Sequence, residues 1–331
     1  MKAKKLLSVL ALALAATTLT ACGDKSVTFG QYWFTNSVTK EEAFYEKAEY
    51  TVSSKSYNSS YCNYTVEYSG SFTTTLEYLA KENTYSFATE LAVKTTFKLG
   101  NETQTYDDYM QSTVTFKAPE ASLRPVKSTK KMNCHVPLSG NFEKVENCFA
   151  VVDYDYTINY AAEKNEGTIK SDKYDMISND GKKSSSVLED TFEFIKNYTY
   201  IDNEQLLVAL RAFAADSTGG TLSSYSAFAE NTQKVKITFS DTEDKGTESF
   251  NYTLVYADGT ENTTPKNILC RTAKINLDQK NPGVTHTVKL AKSKNTSQND
   301  YRNLILTITT PLSYSMGEIY YKLNKVSYQK P

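Results

Sequence analysis

Histidine is nearly absent from this chain of 331 residues: only His135 and His286 are present. A hydrolytic triad needs a base that takes up a proton near neutral pH, and that base is usually histidine. His286 lies on the same alternating face as Val284, Val288 and Leu290, which reads as a structural imidazole. His135 adjoins Cys134, and a metal set can be drawn by adding Cys148. Three ligands at arbitrary spacing fall short of the four-ligand zinc patterns, so no metal is expected. CxxC, GxGxxG, P-loop and GxSxG motifs are all missing, so the chain reads as a non-enzyme without a cofactor. Glycine and proline are scarce, 13 and 7, which argues against a disordered stalk. Lys and Arg together number 37 against 38 for Asp and Glu, so nothing indicates nucleic-acid binding. After the first residues no apolar run approaches the ~20 residues that a membrane-spanning helix requires.

What is present begins at the N-terminus. Lys2, Lys4 and Lys5 precede an apolar segment, Leu6 to Ala16, and small residues then lead to Ala21. These are the parts of an export signal. Leu19-Thr20-Ala21-Cys22 resembles the lipobox of bacterial lipoprotein precursors. The resemblance covers residues 1–22 alone. It implies cleavage before Cys22, a diacylglycerol on the Cys22 thiol, often an acyl chain on its amino group, and a place on the outer face of a bacterial cell membrane. Two or three acyl chains anchor stably where one is marginal. The mature chain then loses three lysines and no carboxylate, and is mildly acidic. Asn-x-Ser/Thr triplets, such as those at Asn58, Asn63 and Asn101, reflect composition in a bacterium and not glycan sites.

Four cysteines remain: Cys62, Cys134, Cys148 and Cys270. Export places them where disulfides persist. Cys134 with Cys148 would close the shortest loop and is the favoured pair; reduced, buried cysteines are the other outcome.

Tyrosine, at 25 residues, and the many Thr and Val suit half-buried strands. From Cys62 to Tyr78 the even positions are mostly apolar, and Gly70 suggests a bend or bulge. The alternation returns on odd positions from Tyr85 to Leu99, then on even positions from Tyr106 to Phe116. These three strands exceed the usual ~5–6 residues, and long strands coil. Residues 119–140 break the pattern, a fourth strand runs from Cys148 to Tyr160, Gly167 to about Lys170 forms a hairpin with it, and 171–186 reads as a loop. Asp153 and Asp155 share one face, which reads as a solvated sheet surface. Thr39 with Glu42 predicts a short helix over about 40–48. Asp202, Gln205, Ile201 and Leu206 form a capping box with a hydrophobic staple, so a second helix is predicted over 202–215. After it come Val235 to Phe239, Phe250 to Tyr256, Leu269 to Leu277, Val284 to Leu290, Leu304 to Ile308 and Ile319 to Leu323.

The expected fold is therefore mainly β: a long-stranded, antiparallel, curved, half-barrel-like sheet with one or a few short helices. Two tandem β domains are the alternative. Residues 1–21 are the signal, 22–58 an anchor, tether and approach segment, 59–215 the first β region, 216–231 a linker and 232–331 a second β region. In outline this is similar to half-barrel lipoprotein carriers and lipid-transfer lipoproteins. The resemblance implies a lipid-anchored protein that holds an apolar ligand under a curved sheet. Tyr64, Tyr68, Tyr154, Tyr156 and Tyr160 are the candidate cavity wall, since tyrosine joins an apolar body to a polar tip. A structural lipoprotein that contacts envelope proteins or polymers is the alternative function.

Overall fold

The computed structural model describes residues 27, 29, 44–117, 123–161, 164–177, 183–185, 189–213, 217–227, 230–240, 247–277, 285–292 and 303–331. Cys22 lies outside them. The first half contains β1 (Tyr45–Ser56), β2 (Thr65–Leu79), β3 (Thr84–Leu99), β4 (Glu102–Lys117), β5 (Pro125–Pro137), β6 (Phe149–Ala161), β7 (Glu166–Ile177), β8 (Lys183–Ser185) and β9 (Glu189–Glu193). Then come β10 (Thr199–Ile201), one short helix α1 (Leu206–Ala212) and β11 (Gly219–Ser226). The second half holds β12 (Asn231–Ser240), β13 (Thr247–Phe250), β14 (Thr253–Val255), β15 (Glu261–Asn262), β16 (Lys266–Asn276), β17 (Thr285–Ala291), β18 (Ile305–Pro311) and β19 (Gly317–Ser327).

All 19 strands belong to one sheet, so the two tandem β domains are not formed. The first strand joins the halves: β1 pairs antiparallel with β2 on one side and with β19 on the other. From there the ladder runs through β3 to β7 and β9 in one direction, and through β18, β17, β16, β12 and β11 in the other. A single apolar core draws on both halves. Period two explains the burial. Val66, Tyr68, Phe72 and Leu76 of β2 point inward, as do Phe87, Leu91 and Val93 of β3.

The sheet curves but its ladder does not close. Its ends meet through side chains. Phe192 of β9 stacks on Tyr225 of β11 at 3.7 Å, Phe194 stacks on Tyr200 of β10 at 4.2 Å, and Tyr174 donates to Ala227 O at 2.6 Å. This contact buries Thr221 to Ser226 on both faces. Gly167 makes room for it: a Cβ there would lie 2.4 Å from the Phe192 ring.

Several expectations are corrected. Residues 45–48 are strand, not helix, and 40–43 lie outside the described residues. Pairing on both edges of β1 satisfies its backbone, which overrides a local capping signal. The approach segment therefore already contains the central strand of the sheet. Residues 125–137 are a full strand, hidden from the hydrophobic pattern because Ser128 and Lys130 face the interior. β7 continues to Ile177 for a similar reason, with Ser171 and Asp175 buried in it. The predicted linker is largely β11. The strand expected over Phe250 to Tyr256 is split: β13 pairs with β16 and β14 with β19. Gly70 forms no bulge, as β2 and β3 pair without a shift; a Cβ would meet Ala92 O at 2.2 Å, so only glycine allows that approach.

Candidate functional site: an internal cavity beside a buried helix

The segment LLVALRA is apolar nearly all round, which suits a helix with no solvent-facing side. Every residue of α1 is buried. Its start follows the predicted capping box: Asp202 Oδ1 accepts from Glu204 N at 2.7 Å, and Gln205 Oε1 accepts from Asp202 N at 3.4 Å. It stops at Ala212, before the predicted end, because Phe213 turns to extended backbone.

Two buried ion pairs fix the helix inside the sheet. Lys130 of β5 meets Glu204 at 2.6 Å, just before α1. Near its far end, Arg211 Nη2 donates to Glu46 Oε2 of β1 at 2.9 Å. Gln205 also donates to Leu123 O at 2.8 Å, and Asn303 to Arg211 O at 2.9 Å. A polar band lies opposite the first pair. Thr74, Thr89, Ser112, Lys130, Tyr156 and Ser171 are successive register partners across β2 to β7, and all are buried. Thr89 and Ser112 satisfy each other at 2.7 Å.

Beside this band is an internal cavity of about 60 Å³. Phe72, Thr89, Leu91 and Met110 line it from the first half, and Glu204 and Leu207 from the helix segment. The second half contributes Ile275, His286, Val288, Ile308, Thr310 and Tyr321. His286 is 6% exposed, and its Nδ1 has no hydrogen-bond partner. Burial lowers its pKa from 6.5 to about 4, so the ring is neutral at pH 7 and offers one donor and one acceptor. Glu204 is neutralised by Lys130, which leaves the wall without net charge. Such a site suits an uncharged ligand with an apolar body and one hydrogen-bonding group. The volume is enough for a few waters, at ~10–15 Å³ each, and below the ~150 Å³ that takes up benzene. A lipid acyl chain does not fit this volume.

The candidate tyrosines all lie on the inner side of the sheet and are not among the residues lining this cavity. Tyr64 donates to Leu138 O at 2.6 Å, and Tyr154 stacks on Tyr174 at 4.1 Å. Tyr160 donates to Asp202, and Tyr156 lies beside Glu204 and Asp202. Tyr68 is buried with its hydroxyl unpartnered, and burial pushes its pKa well up. Asp202 is pushed up to about 6, first by burial and then by Glu204. The lining joins β2–β4 to β16–β19, which are far apart in sequence, so no local pattern marks it as a whole. The inward alternation of Phe72 and His286 was its only legible sign.

His135 stands elsewhere. Its Nδ1 lies 2.6 Å from Asp108 Oδ1, and Asp108 Oδ2 accepts from Thr95 Oγ1 and from His135 N. The carboxylate thus joins β4 to β5 just past their last ladder pair, Tyr109 with Asn133. The predicted Cys134–Cys148 bridge is corrected. Cys134 pairs with Val152, four residues along β6 from Cys148. That is about 13 Å of strand, beyond the ~7 Å limit for a disulfide. Cys62, Cys134 and Cys148 are free, and all four described cysteines are buried. Burial raises the Cys134 thiol pKa and pushes Cys148 up to about 12, so neither is a ready nucleophile. Asp153 and Asp155 pair with Lys173 and Lys131 on the sheet surface. Among the described residues no cluster of His, Cys, Asp and Glu is arranged to hold a metal, and no helix is long and apolar enough to cross a membrane.

No family model matches the chain, and no curated protein matches it. Among solved structures it is similar to the crystal structure of a β-barrel-like protein of domain of unknown function DUF1849 from Brucella abortus, at 9% identity over 87% of this chain and 99% of that one, with a TM-score of 0.47.

Proposed function

We propose that this is a lipid-anchored cell-envelope binding protein, and that the cavity beside α1 holds a small, uncharged, largely apolar ligand through His286. The lipobox at Leu19 to Cys22 supports the anchor. The unpartnered Nδ1 of His286, in a wall otherwise mostly apolar, carries the ligand reading. A buried polar atom without a partner costs about 1–3 kcal/mol. A ligand hydroxyl or carbonyl, or a bound water, recovers that cost. The reading is one of binding, carried by a wall in which most of the lining side chains are apolar.

Residues 23–331, produced in soluble form, test this by mass spectrometry of co-purifying small molecules and by uptake of added short neutral alcohols. The expected result is a stoichiometric neutral ligand that the His286→Phe variant retains poorly. A folded protein that carries nothing and takes up nothing contradicts the proposal.

A further inference from the structure

The two described residues nearest the predicted anchor are docked on the curved sheet, and their position orients it. Thr199 Oγ1 donates to Val27 O at 2.9 Å. Phe29 bridges to Phe213, and their rings meet edge to face at 5.6 Å. Val27 fills the space left by the missing side chain of Gly220, where a Cβ would come within 2.5 Å of it. Thr199, Phe213 and Gly220 all lie at one end of the sheet. It is the end where β1 begins, where β2 turns into β3 and where β12 finishes.

We infer that this end of the sheet lies against the lipid bilayer. The inference rests on the proposal that Cys22 is acylated. Val27 is only five Cα–Cα steps from Cys22, which at full extension is about 17 Å. A lipid-modified Cys22 in the membrane therefore holds the Val27 dock close to the headgroups. The opposite end, which carries Tyr61, is held away. Sixteen residues of β3 run between the ends, or about 50 Å along the strand.

This orientation places α1 between the membrane and the cavity. The Arg211–Glu46 pair sits level with Leu76, near the membrane end, because Glu46 is the register partner of Leu76. The cavity residue Phe72 lies four positions deeper on the same strand. A ligand arriving from the bilayer meets the helix first, and the far end faces the aqueous side.

The test uses the full chain, lipidated in a bacterial host and reconstituted in phosphatidylethanolamine–phosphatidylglycerol vesicles doped with a headgroup-nitroxide lipid. A fluorophore is attached at Lys81→Cys, in the exposed β2–β3 turn, or at Tyr61→Cys, 61% exposed at the far end. The expected result is strong quenching at position 81 and little at 61. In a Phe29→Ala, Thr199→Ala background the contrast shrinks while vesicle flotation is unchanged. Equal quenching at both positions, or stronger quenching at 61, overturns the orientation alone. A chain that does not float with vesicles overturns the anchor and the orientation together.

Discussion

Replacing Glu46 by Gln removes the charge that neutralises Arg211 and leaves the shape of the pair almost intact. The side chains of Arg211 and Glu46 are 5% and 2% exposed, so water cannot take over the role of the carboxylate. An uncompensated buried charge costs about 3–5 kcal/mol. That is a large share of the roughly 5–15 kcal/mol that holds a typical domain folded. Urea unfolding of residues 23–331 followed by circular dichroism reads the loss as a fall in midpoint at constant slope. A partner experiment separates charge from packing. Glu46→Leu combined with Arg211→Met should recover most of the loss, because apolar residues of similar volume often replace a buried pair at no cost. A loss below about 1 kcal/mol in Glu46→Gln would refute the claim that α1 is locked inside the sheet by this pair.

His286 and Asp202 have opposite pH signatures. His286 has its pKa lowered from 6.5 to about 4, so it adds stability that is full above pH 6.5 and lost as pH falls toward 4, worth about 3 kcal/mol. Asp202 has its pKa raised from 3.8 to about 6, so it adds stability that is full below pH 3.8 and lost as pH rises through 6, again about 3 kcal/mol. Stability profiles from pH 4 to 7 should therefore tilt in opposite senses: relative to the parent, His286→Gln loses stability as pH rises, and Asp202→Asn gains it. Gly167→Ala drives a methyl into the Phe192 ring and should cost about 1–3 kcal/mol, with faster hydrogen exchange in β9 and β11 as the local sign. Peptide mapping without reductant should find no peptide linking Cys134 to Cys148, and finding one would show that β5 and β6 pair in another register.

The long strands with clean alternation were legible, since one apolar face and one polar face leave a period-two trace whatever the partner. The helix start was legible because capping is local to Asp202 and Gln205. β5 was not, because Ser128 and Lys130 point inward to serve the helix and so break the apolar pattern. The same physics hid β11: its Ser-rich run looks like a linker until the contact between the sheet ends buries both faces. Tyrosines were read as a cavity wall from their number and phase, yet hydroxyl chemistry drew Tyr64 and Tyr160 to protein partners. The cavity lies between strands whose closeness depends on β1 pairing with both β2 and β19, and no local pattern carries that.

The central claim, that the cavity beside α1 takes an uncharged ligand through His286, is tested most directly by nitrogen NMR of histidine-labelled protein. The chain holds only two histidines, so two imidazoles report. Titration with a short linear alcohol should shift the His286 ring nitrogens saturably and leave those of His135 unmoved, and the matching alkane should do neither. No saturable shift at His286, or equal shifts at both histidines, would contradict the claim.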